Sequence, residues 1–146
     1  FAEVMPASTI VLVTTAERPS EIDPQRAERA MARAQKRLKT LLELQNDPIM
    51  ITGALIGNYL DLYRVFLGKR GRRSLADVAK DFGYGGKWSY RLGKTEKTAA
   101  RFKRHQLEQC LCILQKLDRY LKSSKLDADL LMQKALCELS LAGRRT

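Results

Sequence analysis

The chain has 146 residues, with 27 Lys and Arg against 16 Asp and Glu for a formal net charge of +11, and its 45% hydrophobic residues suffice for a core and exclude wholesale disorder. The length allows one compact domain or two small pieces. The longest purely apolar runs, such as Ile10-Val11-Leu12-Val13, fall far short of the roughly 20 residues a membrane-spanning helix needs, and no signal peptide is apparent.

In chain order, Phe1 to Met5 and Thr9 to Thr15 are rich in strand formers and flank Pro6-Ala7-Ser8, which predicts a short hairpin. A lone hairpin is marginal in water, so these strands need a sheet that the remainder does not supply. Asp23-Pro24 is a helix start, with Asp as the cap and Pro at the first helical position. The pattern that follows, through Ala27, Ala30, Ala34 and Leu38, runs as one helix from Arg26 to Gln45. Asp47-Pro48 repeats the same start and opens a helix with Ile49, Ile51, Leu55, Ile56, Tyr59, Leu60, Leu62 and Tyr63, ending near Leu67. Its broad apolar face makes it central.

Gly68-Lys69-Arg70-Gly71 predicts a turn. Ser74 to Asp77 resembles a capping box and starts a short helix with Leu75, Val78, Ala79 and Phe82 on one face, closed by a left-handed cap at Gly83. Helices follow over 87–100, over 103–122 with Leu107, Cys110, Leu111, Leu114, Leu117 and Leu121, and over 127–142 with Leu130, Leu131, Ala135, Leu136 and Leu139, stopping at Gly143. The fold class is mainly α, a helical bundle with a short N-terminal β-hairpin.

The charge is local. Residues 64–104 hold thirteen basic and three acidic residues, whereas 1–63 hold seven and eight. Within that segment Lys69, Arg70, Arg72, Arg73, Lys87, Arg91 and Lys94 are the candidates for nucleic-acid contact, because cations interleaved with Phe82, Tyr84, Trp88 and Tyr90 can neutralise phosphates and stack on bases. The competing reading is a solvated helical surface whose aromatics face the core. Leu75 to Tyr84 followed by a basic helix also has the outline of a helix-turn-helix.

No catalytic constellation is visible: His105 stands alone beside Lys103 and Arg104, and Gly83, Gly85 and Gly86 lack the strand and Lys of a phosphate loop. Cys110, Cys112 and Cys137 have neither CxxC nor Cys/His ligand spacing, so no disulfide framework, metal or cofactor is expected, and a reducing, cytoplasmic setting fits. Cys110 and Cys137 read as small core residues.

Two family resemblances emerge. Asp47 to Thr52, Asn58 to Arg64, Asp77 to Tyr84, Gln106-Leu107 with Cys110-Leu111, and Asp118 with Leu121 to Ser124 resemble the C-terminal domain of the bacterial DNA polymerase III delta subunit, over about Leu41 to Leu141. The resemblance implies a non-catalytic, all-helical collar element of the clamp loader in DNA replication, with the other clamp-loader subunits as partners and DNA near the 64–104 segment.

Residues 1 to about 39 instead resemble the epsilon subunit of F-type ATP synthase, through Phe1 to Val4, Ile10 to Val13, Ala16-Glu17 and Ile22 to Ala27. That likeness implies a nucleotide-binding motif at Ile22, Asp23, Arg26 and Ala27, with Glu17 and Arg33 as additions, although the family's second C-terminal helix is absent. It also implies ATP synthase gamma and beta subunits as partners, at the inner face of the plasma membrane.

The expected division is thus 1–40 and 41–146, with a seam near Lys39 to Leu44. Together with Phe1 in place of Met, it suggests a piece of something longer. Three functions stand: a clamp-loader assembly domain, a regulatory epsilon fragment, and a helix-turn-helix DNA-binding module.

Overall fold

The computed structural model describes residues 23–44 and 47–144. Among them are six helices and no strand: α1 (Pro24–Glu43), α2 (Pro48–Arg70), α3 (Leu75–Asp81), α4 (Trp88–Ala99), α5 (Arg104–Ser123) and α6 (Ala128–Arg144). The bundle expected from the sequence is present, and the hairpin expected over 1–15 lies outside the described residues.

The helix starts follow from their capping chemistry. Asp23 Oδ1 accepts the Gln25 N–H at 3.0 Å, and Asp47 Oδ1 accepts the Ile49 N–H at 2.8 Å. Ser74 and Asp77 form a reciprocal box, the Asp77 N–H donating to Ser74 Oγ at 3.1 Å and the Ser74 N–H to Asp77 Oδ2 at 3.0 Å. Those bonds from Ser74 hold the Asp77 carboxyl below its usual range. α5 lacks a small capping residue. Instead the buried Gln106 accepts the Lys103 N–H at 2.7 Å and donates to the Gly143 carbonyl at 3.1 Å, tying the start of α5 to the end of α6.

Two helices end in the same left-handed motif. After α3 the Tyr84 N–H reaches the Ala79 carbonyl at 2.9 Å and the Gly83 N–H reaches that of Lys80 at 3.3 Å, with Gly83 at φ +66° as expected. After α2 the Arg73 N–H reaches the Gly68 carbonyl at 2.9 Å and the Arg72 N–H that of Lys69 at 3.1 Å. There the left-handed position is held by Arg72, at φ 54°, which costs roughly 1–2 kcal/mol relative to glycine. The turn expected at 68–71 therefore begins three residues later, and α2 runs a turn past Leu67. Gly68 serves packing: a Cβ on it would lie 2.5 Å from Val78 Cγ2, so its absence lets α3 close against α2.

α2 is the central helix. Ile51, Leu55, Tyr59, Leu62 and Val65 bury against α4, α5 and α6, where Leu92, Leu107, Leu114, Met132 and Leu136 complete the core. Each fully buried aliphatic side chain is worth about 1.5–3 kcal/mol. The Tyr59 ring meets Phe102 edge-on, centroids 6.3 Å apart. α1 packs mainly on α6, through Ala27, Met31, Ala34, Leu38 and Leu41 at alternating spacings of four and three.

Three apolar assignments need correction. Cys110 is buried but Cys137 is exposed, and Leu130 is 67% exposed. The physical reason is register: the inward face of α6 is Met132, Ala135, Leu136, Leu139 and Ala142, and Leu130 and Cys137, seven apart, share the opposite face. Phe82 is also 51% exposed: it is the C-cap of α3, and its ring meets the Arg64 guanidinium of α2, 4.5 Å from its centroid.

Candidate functional site

The basic segment is organised by one buried carboxylate. Asp61, on α2 and only 1% exposed, accepts hydrogen bonds from the Tyr84 hydroxyl and from Arg91 Nε of α4. Arg64, one turn on from Asp61, donates to the same Tyr84 hydroxyl at 3.0 Å. Its guanidinium lies 4.5 Å from the Phe82 ring centroid and 5.7 Å from that of Tyr84, while Arg91 approaches the Tyr84 ring to 5.3 Å. Burial and the bond to Asp61 raise the Tyr84 phenol above its ordinary value. Sequence reading passed over Asp61; the available signal was a lone carboxylate inside the apolar run Tyr59-Leu60-Asp61-Leu62-Tyr63.

The other nominated cations are spread around this cluster. Lys69 pairs with Glu96 at 2.9 Å and Arg73 with Asp81 at 2.8 Å, while Arg70 lies 5.6 Å from the Phe66 ring. Arg72 and Lys87 are exposed, and Lys94 sits 4.2 Å from the Tyr90 ring centroid while donating to its hydroxyl.

A helix-turn-helix reading fits this geometry poorly. α3 has seven residues and the connection to α4 spans 82–87. The first turn of α4, which would enter a groove, is committed inward: Trp88 packs on the core and Arg91 is tied to Asp61.

The residues nominated for nucleotide lie apart from this. Glu17 and Ile22 are outside the described residues. The Asp23 carboxylate caps α1, Ala27 is buried, and Arg26 and Arg33 are exposed on α1.

A second feature is apolar. α6 is full on its inner face, yet it also presents Leu130, Cys137 and Leu141, the last 56% exposed, on its outer one. Beside the start of this stripe an open cleft of about 780 Å³ lies between α1, the start of α2 and α6, and its lining is mostly polar, with Lys36, Lys39, Glu43 and Asp129 beside Leu38 and Leu42. Leu130, Cys137 and Leu141 follow one side of α6 at steps of seven and four residues, and grouped apolar exposure is a property of interaction surfaces.

The family model described as DNA polymerase III delta subunit, C-terminal domain, matches residues 25–139. The chain belongs to this family. The delta-family domain superimposes on the Bacillus subtilis DNA clamp loader delta protein with a TM-score of 0.75 at 15% identity, covering 92% of this chain and 35% of that one, which establishes a shared fold. Two curated relatives match over 40 residues only: the ATP synthase epsilon chains of Desulfosudis oleivorans, 58% identical, and Koribacter versatilis, 52% identical. Those stretches are 27% of this chain and span 30% and 28% of the relatives.

Burial pushes the Cys110 thiol up to about 11 and the neighbouring Tyr59 phenol well above its usual value, so neither is an activated nucleophile. His105 is exposed. Among the described residues no group of three or more His, Cys, Asp and Glu could hold a metal, and no helix is long and apolar enough to cross a membrane.

Proposed function

We propose that this chain acts as a non-catalytic assembly domain, the helical collar part of a clamp-loader delta subunit within the DNA polymerase III machinery, with the other clamp-loader subunits as partners. The observation that carries the reading is the outer apolar stripe of α6, Leu130, Cys137 and Leu141, on a helix whose inner face is already satisfied. Family membership supplies the class of partner. In this reading α1, which the family match from residue 25 includes, belongs to the collar unit and packs chiefly on α6, and the Asp61-organised basic face is the side turned toward DNA.

The test is co-elution of the full chain with purified clamp-loader subunits. The unmodified chain is expected to co-elute, and the double variant Leu130→Glu/Leu141→Glu, still helical by circular dichroism, is expected to elute alone. A folded wild-type chain that never joins the other subunits removes the proposal.

The 40-residue epsilon-chain matches favour a second reading, as a regulatory fragment acting on ATP synthase. It requires inhibition of ATP hydrolysis by the purified enzyme, and an inert result discards it.

A further inference from the structure

The two ends of the bundle are unequal. Of the large hydrophobic side chains that stand exposed among the described residues, half belong to one end: Leu44 after α1, Ile49 and Met50 in the first turn of α2, Tyr120 near the end of α5, and Leu126 before α6. Leu44 and Leu126 are each 63% exposed. These terminal turns come together in space. The cleft sets Leu42 and Glu43 of α1 beside Pro48 of α2 and Asp129 and Gln133 of α6, and the Thr52 hydroxyl lies 3.4 Å from Met132 Sδ. Residues 124–127 join α5 directly to α6 at the same end.

This end is also electrically distinct. Residues 39–50 and 118–131 hold four basic and five acidic residues, a net charge of −1, so the other 120 residues carry +12. The cationic 64–104 segment begins about 24 Å along α2 from Pro48 at 1.5 Å per residue, roughly three Debye lengths at physiological salt. Two molecules of charge +11 therefore repel through most of their surface and least through this end. The terminal segments of the chain leave from the opposite end. Asp23 lies about 30 Å along α1, and Arg144 about 25 Å along α6, from the turns that line the cleft.

We propose that this end is a self-association surface, on which a second copy of this chain packs about a two-fold axis. Leu44, Ile49, Met50, Tyr120 and Leu126 of one copy meet the same side chains of the other. A two-fold contact uses one patch twice and so needs both charge signs within it, which Lys39, Glu43, Lys122, Lys125, Asp127 and Asp129 supply. Charge also selects the partner. An acidic partner would be drawn to the cationic remainder of the molecule, whereas a neutral apolar end favours a partner that carries the same +11. The proposal goes beyond the clamp-loader reading, because Cys137 and Leu141 lie farther along α6 and stay free in such a dimer.

The experiment is sedimentation velocity of the full chain from about 1 to about 100 μM, at roughly 50 and 300 mM salt. A dimer is expected whose share grows with concentration, and its dissociation constant should fall several-fold at the higher salt as screening relieves the repulsion of two cationic molecules. Met50→Lys/Leu126→Lys, still helical by circular dichroism, should weaken dimerisation roughly tenfold or more, with Leu44→Lys as a second variant. Leu141→Glu should leave the dimer unchanged.

Met50→Lys/Leu126→Lys spares Leu130, Cys137 and Leu141, so it should still co-elute with clamp-loader subunits, which separates failure of the dimer from failure of the assembly reading. A monomer at every concentration, a dimer that salt weakens, one that persists in both lysine variants, or one that Leu141→Glu dissolves would each overturn the proposal.

Discussion

The two halves of this bundle are attached to α2 by different forces. α5 and α6 meet it through aliphatic side chains, Leu107, Leu114, Met132 and Leu136 against Ile51, Leu55 and Leu62, with the Thr52 hydroxyl donating to the Pro48 carbonyl at 2.8 Å and lying 3.4 Å from Met132 Sδ. α3 and α4 also contribute Val78, Ala79 and Leu92, but their display of cations depends on a polar anchor, Asp61 with Tyr84, Arg64 and Arg91. Hydrophobic burial is non-directional, whereas a buried carboxylate with two donors fixes orientation. The domain thus uses the first to be stable and the second to hold a charged surface in one place.

The comparison is broken most severely in the aliphatic half. Leu114→Ala removes a fully buried side chain between α2 and α6 and is expected to cost about 2–5 kcal/mol in urea unfolding, with cooperative loss of all helices. Asp61→Ala is expected to cost less, roughly 1–3 kcal/mol, because Arg91 and Arg64 reach solvent when released. Hydrogen exchange should show where the damage lies, with amides of 75–99 exchanging faster and those of α5 still protected. Uniform acceleration would mean that the polar anchor has no local role.

Arg72→Gly goes the other way. Relief of the left-handed arginine should raise stability by about 1 kcal/mol, read as a higher denaturation midpoint with an unchanged slope.

The smallest effect is that of acid. The Arg104 guanidinium and the Tyr63 hydroxyl, which donates at 2.8 Å, hold the Glu108 carboxyl below its usual range. A carboxyl lowered on folding stabilises above its unfolded value and loses that contribution as pH falls through the folded one, so the Glu108 contribution should be constant above about pH 5 and decline below about pH 4. Glu108→Gln should blunt that decline.

Much of this was legible in the sequence, because the signals are local. Asp-Pro starts at 23 and 47, the Ser74 box and Gly83 each act within a few residues of themselves, and the observed helix bounds follow them. What was missed depends on partners far along the chain. Asp61 gains its meaning from Tyr84 and Arg91, 23 and 30 residues away, and Gly68 from the approach of Val78.

The outward face of α6 was hidden for a different reason. Leu130, Leu131, Met132, Ala135, Leu136 and Leu139 give a nearly all-round apolar pattern, and periodicity alone cannot say which side the core takes. The nominated nucleotide motif shows the converse. Asp23 and Ala27 are explained by helix capping and by burial, which local residue preferences produce without a ligand.

Hydroxyl-radical footprinting of the chain, alone and then mixed with the other clamp-loader subunits, reads both surfaces at once. If α6 is the assembly face, oxidation of Leu130, Cys137 and Leu141 should fall several-fold on mixing while Tyr90 stays as reactive as in the free chain. Protection of Tyr90 with α6 still fully oxidised would contradict the account.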